Sequence, residues 1–273
     1  MAASVTVSAE ELAAGKYNPD TLQQALEHYN RAGYLAVENC FDPAYIRELH
    51  QSHQESYGHL TEKDVEATSL RVGDGRFMTT LALKGPFLDP RLYANPFVLR
   101  LMDAMLGNRG YVINSLTCVT AYPGAKKQNI HADFPALFTD PEIDPKLEPY
   151  AITVAIPLVN LDEKTGTTAM LPGTHNTLPG TRPPMNDLPY VHQGSCYLMD
   201  YRLRHYGTEN YTDRQRPIIY IIYSRPWFID SENFSKQPPV RLNPRDLPKV
   251  PPEHVGLFKR VLDSTNHTLA LLG

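Results

Sequence analysis

Near residue 110 the hydrophobic period of the chain changes from about 3.6 to 2, and this change constrains the fold more than any other feature. Beyond it run "GYVINSLTCVTAYPG", "KQNIHADF", "YAITVAIPLVNL", "GTTAMLPGTH", "GSCYLMDYR" and "RPIIYIIYSRPWF". Each is short, apolar or alternating, and bounded by turn residues. Their Val, Ile, Thr and Tyr suit a pleated, half-buried surface. Six or more such strands behind a helical layer predict an α+β fold built around a β-sandwich or jelly roll.

Three helices are predicted ahead of the strands. In "NPDTLQQALEHYNRAGYLAVENCF" the apolar positions Leu22, Ala25, Leu26 and Tyr29 keep a helical period, with Asp20 read as cap and Gly33 as terminator. "YLAVENC" then reads as a short strand. A second helix begins at Asp42 and Pro43, and a third at Asn95 and Pro96, ending at Gly107. Residues 61–94 read as a long loop with one strand, "RFMTTLAL". From Ser231 a proline-punctuated tail is expected to wrap the surface before a last helix near "HVGLFKRVL". One domain over 1–273 follows: a helical layer with loops (1–110), a β core (111–230) and a C-terminal wrap (231–273).

Composition removes several function classes. A net charge of -4 gives no electrostatic footprint for nucleic acid. No apolar run approaches the roughly 20 residues of a membrane-spanning helix, and no basic amphipathic helix marks a membrane surface. Cys40, Cys118 and Cys196 form neither a zinc pattern nor a disulfide ladder. With no apolar leader, a reducing, cytoplasmic setting is expected. The 24 prolines, about 9% of the chain against a usual ~5%, indicate long connections.

The stretch "QNIHADF" carries His131 and Asp133 two positions apart. Ten histidines and 30 acidic residues in 273 positions give about one such spacing by chance. "HQE" at His53 and Glu55 is that chance pair, in a helix where residues two apart diverge. On a strand, residues two apart share a face. His131 and Asp133 can therefore converge on an ion, or His131 can be an ordinary sheet histidine. A facial divalent-iron site needs a second imidazole from a distant strand, leaving positions open. His205 in "RLRHYGTENYTDRQRPIIY" offers one, whereas His175 reads as a loop brace and His192 as a turn residue.

Arg216 is the second feature. Pro217 biases it toward an extended conformation, on the parity of Ile218, Tyr220 and Ile222. An arginine on an apolar face calls for a fixed anion, and its planar fork suits a carboxylate. A salt bridge to Asp200 or Asp213, or a place at the strand end, is the alternative.

Taken in order, these segments resemble the phytanoyl-CoA dioxygenase family of iron(II)/2-oxoglutarate oxygenases. "RAGYLAVENCFDPAYIREL" is similar to the family's opening helix–strand–helix, "YPGAKKQNIHADF" to its proline-glycine, glutamine and H-x-D pattern, and "GTTAMLPGTH" to its "PGSH" segment. "GSCYLMDYRLRHYGTENYTDRQR" resembles its distal histidine-to-arginine series. The resemblance implies a double-stranded β-helix (jelly roll, cupin-like) with flanking N-terminal helices. It implies Fe(II) on His131, Asp133 and His205, 2-oxoglutarate on Arg216, and O2 as oxidant. Gln128, Thr168 and Tyr122 fall where the co-substrate pocket would be, and Arg214 competes less well with Arg216.

With Asp133 present there is no vacant ligand position for chloride, so oxygenation or desaturation is expected. The competing functions are a cupin-like metal-dependent isomerase or hydrolase, for which Arg216 has no use, and a non-catalytic binding module, for which the triad has none. The loops 61–94, 134–149 and 224–240 are expected to shape the pocket. Phe77, Phe134, Phe138, Trp227 and Phe228 point to a small, largely apolar organic substrate, a natural product rather than a coenzyme A thioester. A homodimer closed by the proline-rich tail is compatible with the sequence.

Overall fold

The computed structural model describes residues 3–107, 110–178, 180–182 and 184–263. Among them run ten strands: β1 (Ser4–Thr6), β2 (Tyr34–Glu38), β3 (Leu70–Gly73), β4 (Arg76–Thr80), β5 (Val112–Ala121), β6 (Ala151–Pro157), β7 (Thr168–Met170), β8 (Cys196–Asp200), β9 (His205–Gly207) and β10 (Arg216–Ser224). Eight form one sheet in the order β1-β2-β8-β6-β10-β5-β4-β3, and β7 pairs with β9 in a second, small sheet. All pairs are antiparallel except β1 with β2. Hydroxyl contacts from Thr168 to Tyr197 and Tyr220 tie the two sheets face to face. This is the α+β jelly roll that the change of period predicts.

The large sheet has two different faces. On one, Leu116, Cys118, Ile152, Val154, Ile156, Ile219 and Ile221 pack against Ile46, Leu49, Leu101 and Met102 of the helices. On the other, the alternate residues turn into the roll, where small and polar side chains appear. β10 lies between β5 and β6 and is buried on both faces, so it reads as an unbroken apolar run.

The helices are α1 (Ala9–Ala14), α2 (Pro19–Ala32), α3 (Pro43–His53), α4 (Glu62–Glu66), α5 (Pro90–Tyr93) and α6 (Pro96–Leu106). Asp42 and Asn95 cap α3 and α6 as expected. The expectation for α2 is corrected: Pro19 takes the first helical position, so Asn18 is the N-cap and Asp20 lies inside the first turn. Gly33 ends α2 at φ +76, and a side chain there would also run into the His175 ring. β1 and α1 were missed, although Ser8 and Glu11 form a full capping box that the sequence displays.

Two further expectations change. Residues 61–94 hold the expected strand, since "RFMTTLAL" opens as β4, but they are not otherwise a loop: α4, β3 paired with β4, and α5 lie there too. The hairpin turns at Gly73, Asp74 and Gly75, the last at φ +64. "KQNIHADF" is not a strand either. It makes one bridge, His131 opposite His205, and a second contact from Gln128 N–H to the Gly207 carbonyl. At the C-terminus a 3-10 segment, Pro252–Phe258, precedes the short helical stretch 259–263. The proline-rich tail lies along its own chain: the Gln237 amide bonds Thr80 N–H and the Met78 carbonyl.

His53 closes α3 fully buried, its Nδ1 without a partner among the described residues, while Glu55 is exposed. Burial, then the charge of His50, pushes its pKa down to about 4. Because this lies below the unfolded value, His53 costs nothing above about pH 6.5, and stability falls between about 6.5 and 4. The full loss is about 3 kcal/mol. Urea midpoints at pH 7 and pH 4 should show this drop, and His53→Leu should flatten it.

Candidate active site

The inward face of the large sheet forms a cavity of about 620 Å³, in the range of small-molecule sites. Strand alternation selects its walls: Arg76 and Met78 from β4, Thr117 and Val119 from β5, Thr153 from β6, and Tyr220 and Ile222 from β10. The register sets Tyr220 opposite Thr117 and Ile222 opposite Thr153. The Thr117 hydroxyl is buried with no partner among the described residues.

His131, Asp133 and His205 line this cavity together, their ligand atoms within 4.8 Å of one another. The bridge between His131 and His205 exchanges both backbone hydrogen bonds, at 3.0 and 2.8 Å, and sets the rings 4.5 Å apart. His131 Nδ1 bonds the Asn129 carbonyl and His205 Nδ1 the Leu203 carbonyl, each at 2.9 Å. A carbonyl can only accept, so both Nδ1 atoms carry a proton, and in the neutral imidazoles both Nε2 atoms present the lone pair to a metal. His205 Nε2 lies 3.4 Å from Asp133 Oδ1. Two imidazole nitrogens and one carboxylate oxygen on one side of a cavity fit a divalent transition metal with open positions.

The same contacts set the acid–base character. Burial, aided by the charge of His205, lowers the His131 pKa. For His205 burial also acts downward, but the charge and hydrogen bond of Asp133 outweigh it and raise the pKa. Burial would raise Asp133, yet His205, His131 and the Thr153 hydroxyl together hold it below the usual carboxylate range.

A cationic cradle stands next to Thr168 and Tyr220. Arg76 and Arg216 are 3% and 2% exposed, and both donate to the Thr208 carbonyl, at 2.8 and 3.3 Å. Arg76 also reaches the Lys126 carbonyl and Arg216 the Thr165 carbonyl. Both Nε atoms are buried without partners among the described residues. Asp200 and Asp213, the alternative partners for Arg216, are held by Arg202 and Arg214. Burial first, and the charge of Arg216 second, push the Arg76 pKa down to about 10. Two buried like charges with idle donors make a site for an anion. Gly207 and Gly166 leave room for the two guanidinium groups: a Cβ at Gly207 would overlap that of Arg76, and one at Gly166 that of Arg216.

The remaining sequence candidates scatter. Thr168 lines the cavity and bonds Tyr197 and Tyr220 hydroxyls at 2.8 and 3.2 Å. Gln128 also lines it, but its amide is engaged by the Val72 carbonyl and Gly207 N–H. Arg216 is not itself a lining residue, whereas Arg76, which sequence reasoning missed, lines the cavity. Tyr122 is away from it, packed on Phe77 with its hydroxyl on the Leu60 carbonyl. Arg214 is exposed beside Asp213, and His175 is buried against Gly33.

The aromatic expectation is corrected. Phe134 and Phe228 pack with Tyr150 and Tyr201, Phe77 packs with Val65, and Phe138 and Trp227 are exposed. None of the five lines the cavity; its apolar surface comes from Leu70, Val72, Met78, Val119, Ile222 and Phe234. The 134–149 loop contributes no lining residue; Arg202 pins it through the Asp144 and Leu147 carbonyls.

With this geometry in hand, comparison with known proteins is specific. The sequence profile of the phytanoyl-CoA dioxygenase (PhyH) family matches residues 29–218, a span holding all three triad residues and both cradle arginines. Among solved structures, the chain is similar to SnoN, a non-heme alpha ketoglutarate dependent epimerase from nogalamycin biosynthesis. The TM-score is 0.59 at 18% identity, over 82% of this chain and 96% of that one. SnoN has also been solved with Fe3+, alpha ketoglutarate and nogalamycin RO. The carbocyclase SnoK of the same biosynthesis gives 0.57 at 16% identity, over 77% and 85% of the two chains. HygX from Streptomyces hygroscopicus, solved with nickel and 2-oxoglutarate, gives 0.53 at 15% identity, over 76% and 88%. These likenesses are of fold, and no helix of the described residues is long and apolar enough to cross a membrane. By the match over residues 29–218, the chain belongs to the phytanoyl-CoA dioxygenase (PhyH) family.

Proposed function

We propose that this protein is an iron(II)- and 2-oxoglutarate-dependent dioxygenase that oxidises a C–H bond of a small organic molecule, as part of natural-product metabolism. One observation carries the reading: a three-ligand metal site and a buried guanidinium lacking any ion-pair partner among the described residues line the same cavity. A hydrolase or isomerase on this fold that works without 2-oxoglutarate would use the triad and have no need of the cradle. A binding module would need neither.

His131, Asp133 and His205 would hold the metal through Nε2, one carboxylate oxygen and Nε2. Arg76 and Arg216, with the Thr168 and Tyr220 hydroxyls, would hold the distal carboxylate of 2-oxoglutarate by charge-assisted hydrogen bonds. The chemistry such a centre supplies is the coupled oxidation of 2-oxoglutarate and substrate by O2, giving succinate, carbon dioxide and an oxidised product. The protein's own part is positional. Met78, Val119, Ile222 and Phe234 provide apolar surface for the organic substrate and keep water from the reacting carbon. The Thr117 hydroxyl offers one polar contact to orient it.

Anaerobic addition of iron(II) and 2-oxoglutarate to the metal-free protein tests this. A weak visible charge-transfer absorption should appear, and admitting O2 should release succinate. Protein that shows neither is not a dioxygenase of this kind.

A further inference from the structure

Of the three triad residues, Asp133 is the one whose direction the backbone does not fix. His131 and His205 face each other across a two-bond bridge, and each ring is held through Nδ1. Asp133 lies beyond the bridge, outside any strand, in a bend. Something else has to aim its carboxylate.

We propose that Thr153 is the positioning residue of the metal site: its hydroxyl holds one oxygen of Asp133 so that the other alone is offered as ligand. The inference rests on the metal reading of the triad and adds to it a residue from a different strand. Thr153 is 1% exposed on β6, and its Oγ1 donates to Asp133 Oδ2 at 3.0 Å. The opposite oxygen, Oδ1, faces His205 Nε2. The main chain of Asp133 is anchored independently: Asn233 Nδ2 donates to its carbonyl at 3.0 Å and to Asp230 Oδ2 at 2.8 Å. Asp230 is fixed in turn by the Tyr201 hydroxyl at 2.6 Å and by the Glu232 and Asn233 N–H groups at 3.0 Å. With the backbone pinned, only the side-chain torsions of Asp133 are free, and Thr153 removes that freedom.

The consequence concerns coordination number. A carboxylate with both oxygens free can bind through two atoms and occupy a position that co-substrate or O2 needs. With Oδ2 engaged by Thr153, Asp133 would contribute one atom, and the triad would hold a metal through three atoms, leaving room for co-substrate and O2.

The test is a cobalt(II) titration of the metal-free protein, followed by visible absorption and independent of turnover. Thr153→Val keeps the shape and removes the hydroxyl; Thr153→Ser keeps the hydroxyl and removes the methyl. The valine variant should bind cobalt(II) about 10–100-fold more weakly, the effect typical of losing a partner that orients a ligand. The serine variant should match the wild type. Should the valine variant fail to fold, Thr153→Ala takes its place against the same serine control. A valine variant with wild-type affinity overturns the assignment, and so does equal weakening in both variants, which would mark a packing role. Wild-type protein that takes up no cobalt(II) overturns the metal reading itself, and the role of Thr153 with it. The first two results leave that reading standing.

Discussion

His205→Ala should abolish both metal uptake and succinate formation, the largest effect of any single substitution in this protein. His205 has three roles that no neighbour can cover. It supplies an Nε2 ligand, its ring stands against Asp133 Oδ1, and its backbone closes the bridge that places His131. Alanine leaves the bridge intact but reduces the triad to two donors, too few to hold a divalent ion against water. The fold should persist, because β9 is held to β7 by its main chain. Melting temperatures near wild type, with no cobalt(II) absorption and no succinate, are therefore expected. Retained metal binding in this variant would mean the ion sits elsewhere.

The wild-type protein adds a dependence on pH. His205 holds its proton above the ordinary imidazole range because of Asp133, and a metal must displace that proton. Below the raised pKa, affinity should fall about tenfold per pH unit, one proton per ion. Above it, affinity should level off.

The legibility of this site in the sequence divides along physical lines. α2, α3 and α6 carry proline at the first helical position and glycine or a cap at their ends, and β5, β6, β8 and β10 are apolar or alternating, so local pattern suffices for them. β4 is legible as "RFMTTLAL", but its partner β3 is hidden because Arg71, Asp74 and their neighbours are solvated, leaving no clean alternation. β9 is three residues long and "KQNIHADF" makes a single bridge, below what a periodic pattern can resolve. The spacing of His131 and Asp133 drew attention to residues that do converge, but by a different route from the one inferred. Strand parity was the warrant, whereas the structure uses a bridge, a bend and Thr153.

Arg76 shows the other limit. It lies in "GDGRFMTT", where nothing local marks an inward arginine, and one of its acceptors, the Thr208 carbonyl, is 132 positions away. Only the register of β4 on β5, which sets Met78 opposite Val119, turns Arg76 toward the cavity. Tyr122 failed for the complementary reason. It stands just past the end of β5, where its side chain packs on Phe77 instead of entering the roll.

That unanticipated arginine gives the second large prediction. Arg76→Leu and Arg216→Leu should each raise the dissociation constant for 2-oxoglutarate by about 30-fold to several thousand-fold. This is the equivalent of the roughly 2–5 kcal/mol lost when one partner of a buried charge pair is removed. Cobalt(II) binding in the absence of co-substrate should change far less, since neither arginine hydrogen-bonds a triad residue and only the charge of Arg76 reaches His131. Arg216→Lys should not rescue, because an ammonium cannot copy the planar fork that reaches both Thr165 and Thr208. The two arginines also bear on stability in a direction opposite to binding. Without an anion they are buried like charges with idle Nε–H donors, so either leucine variant should melt no lower than wild type when free of co-substrate. Saturating 2-oxoglutarate on the metal-loaded wild type should reverse that order, adding about 2.7 kcal/mol at a hundred times its dissociation constant, while the variants gain little. Thermal scans with and without 2-oxoglutarate read both effects at once. If Arg76→Leu binds 2-oxoglutarate as the wild type does, Arg216 acts alone and the cradle is not shared. If neither variant loses affinity, the anion held between them is not 2-oxoglutarate, and the case for a dioxygenase loses its main support.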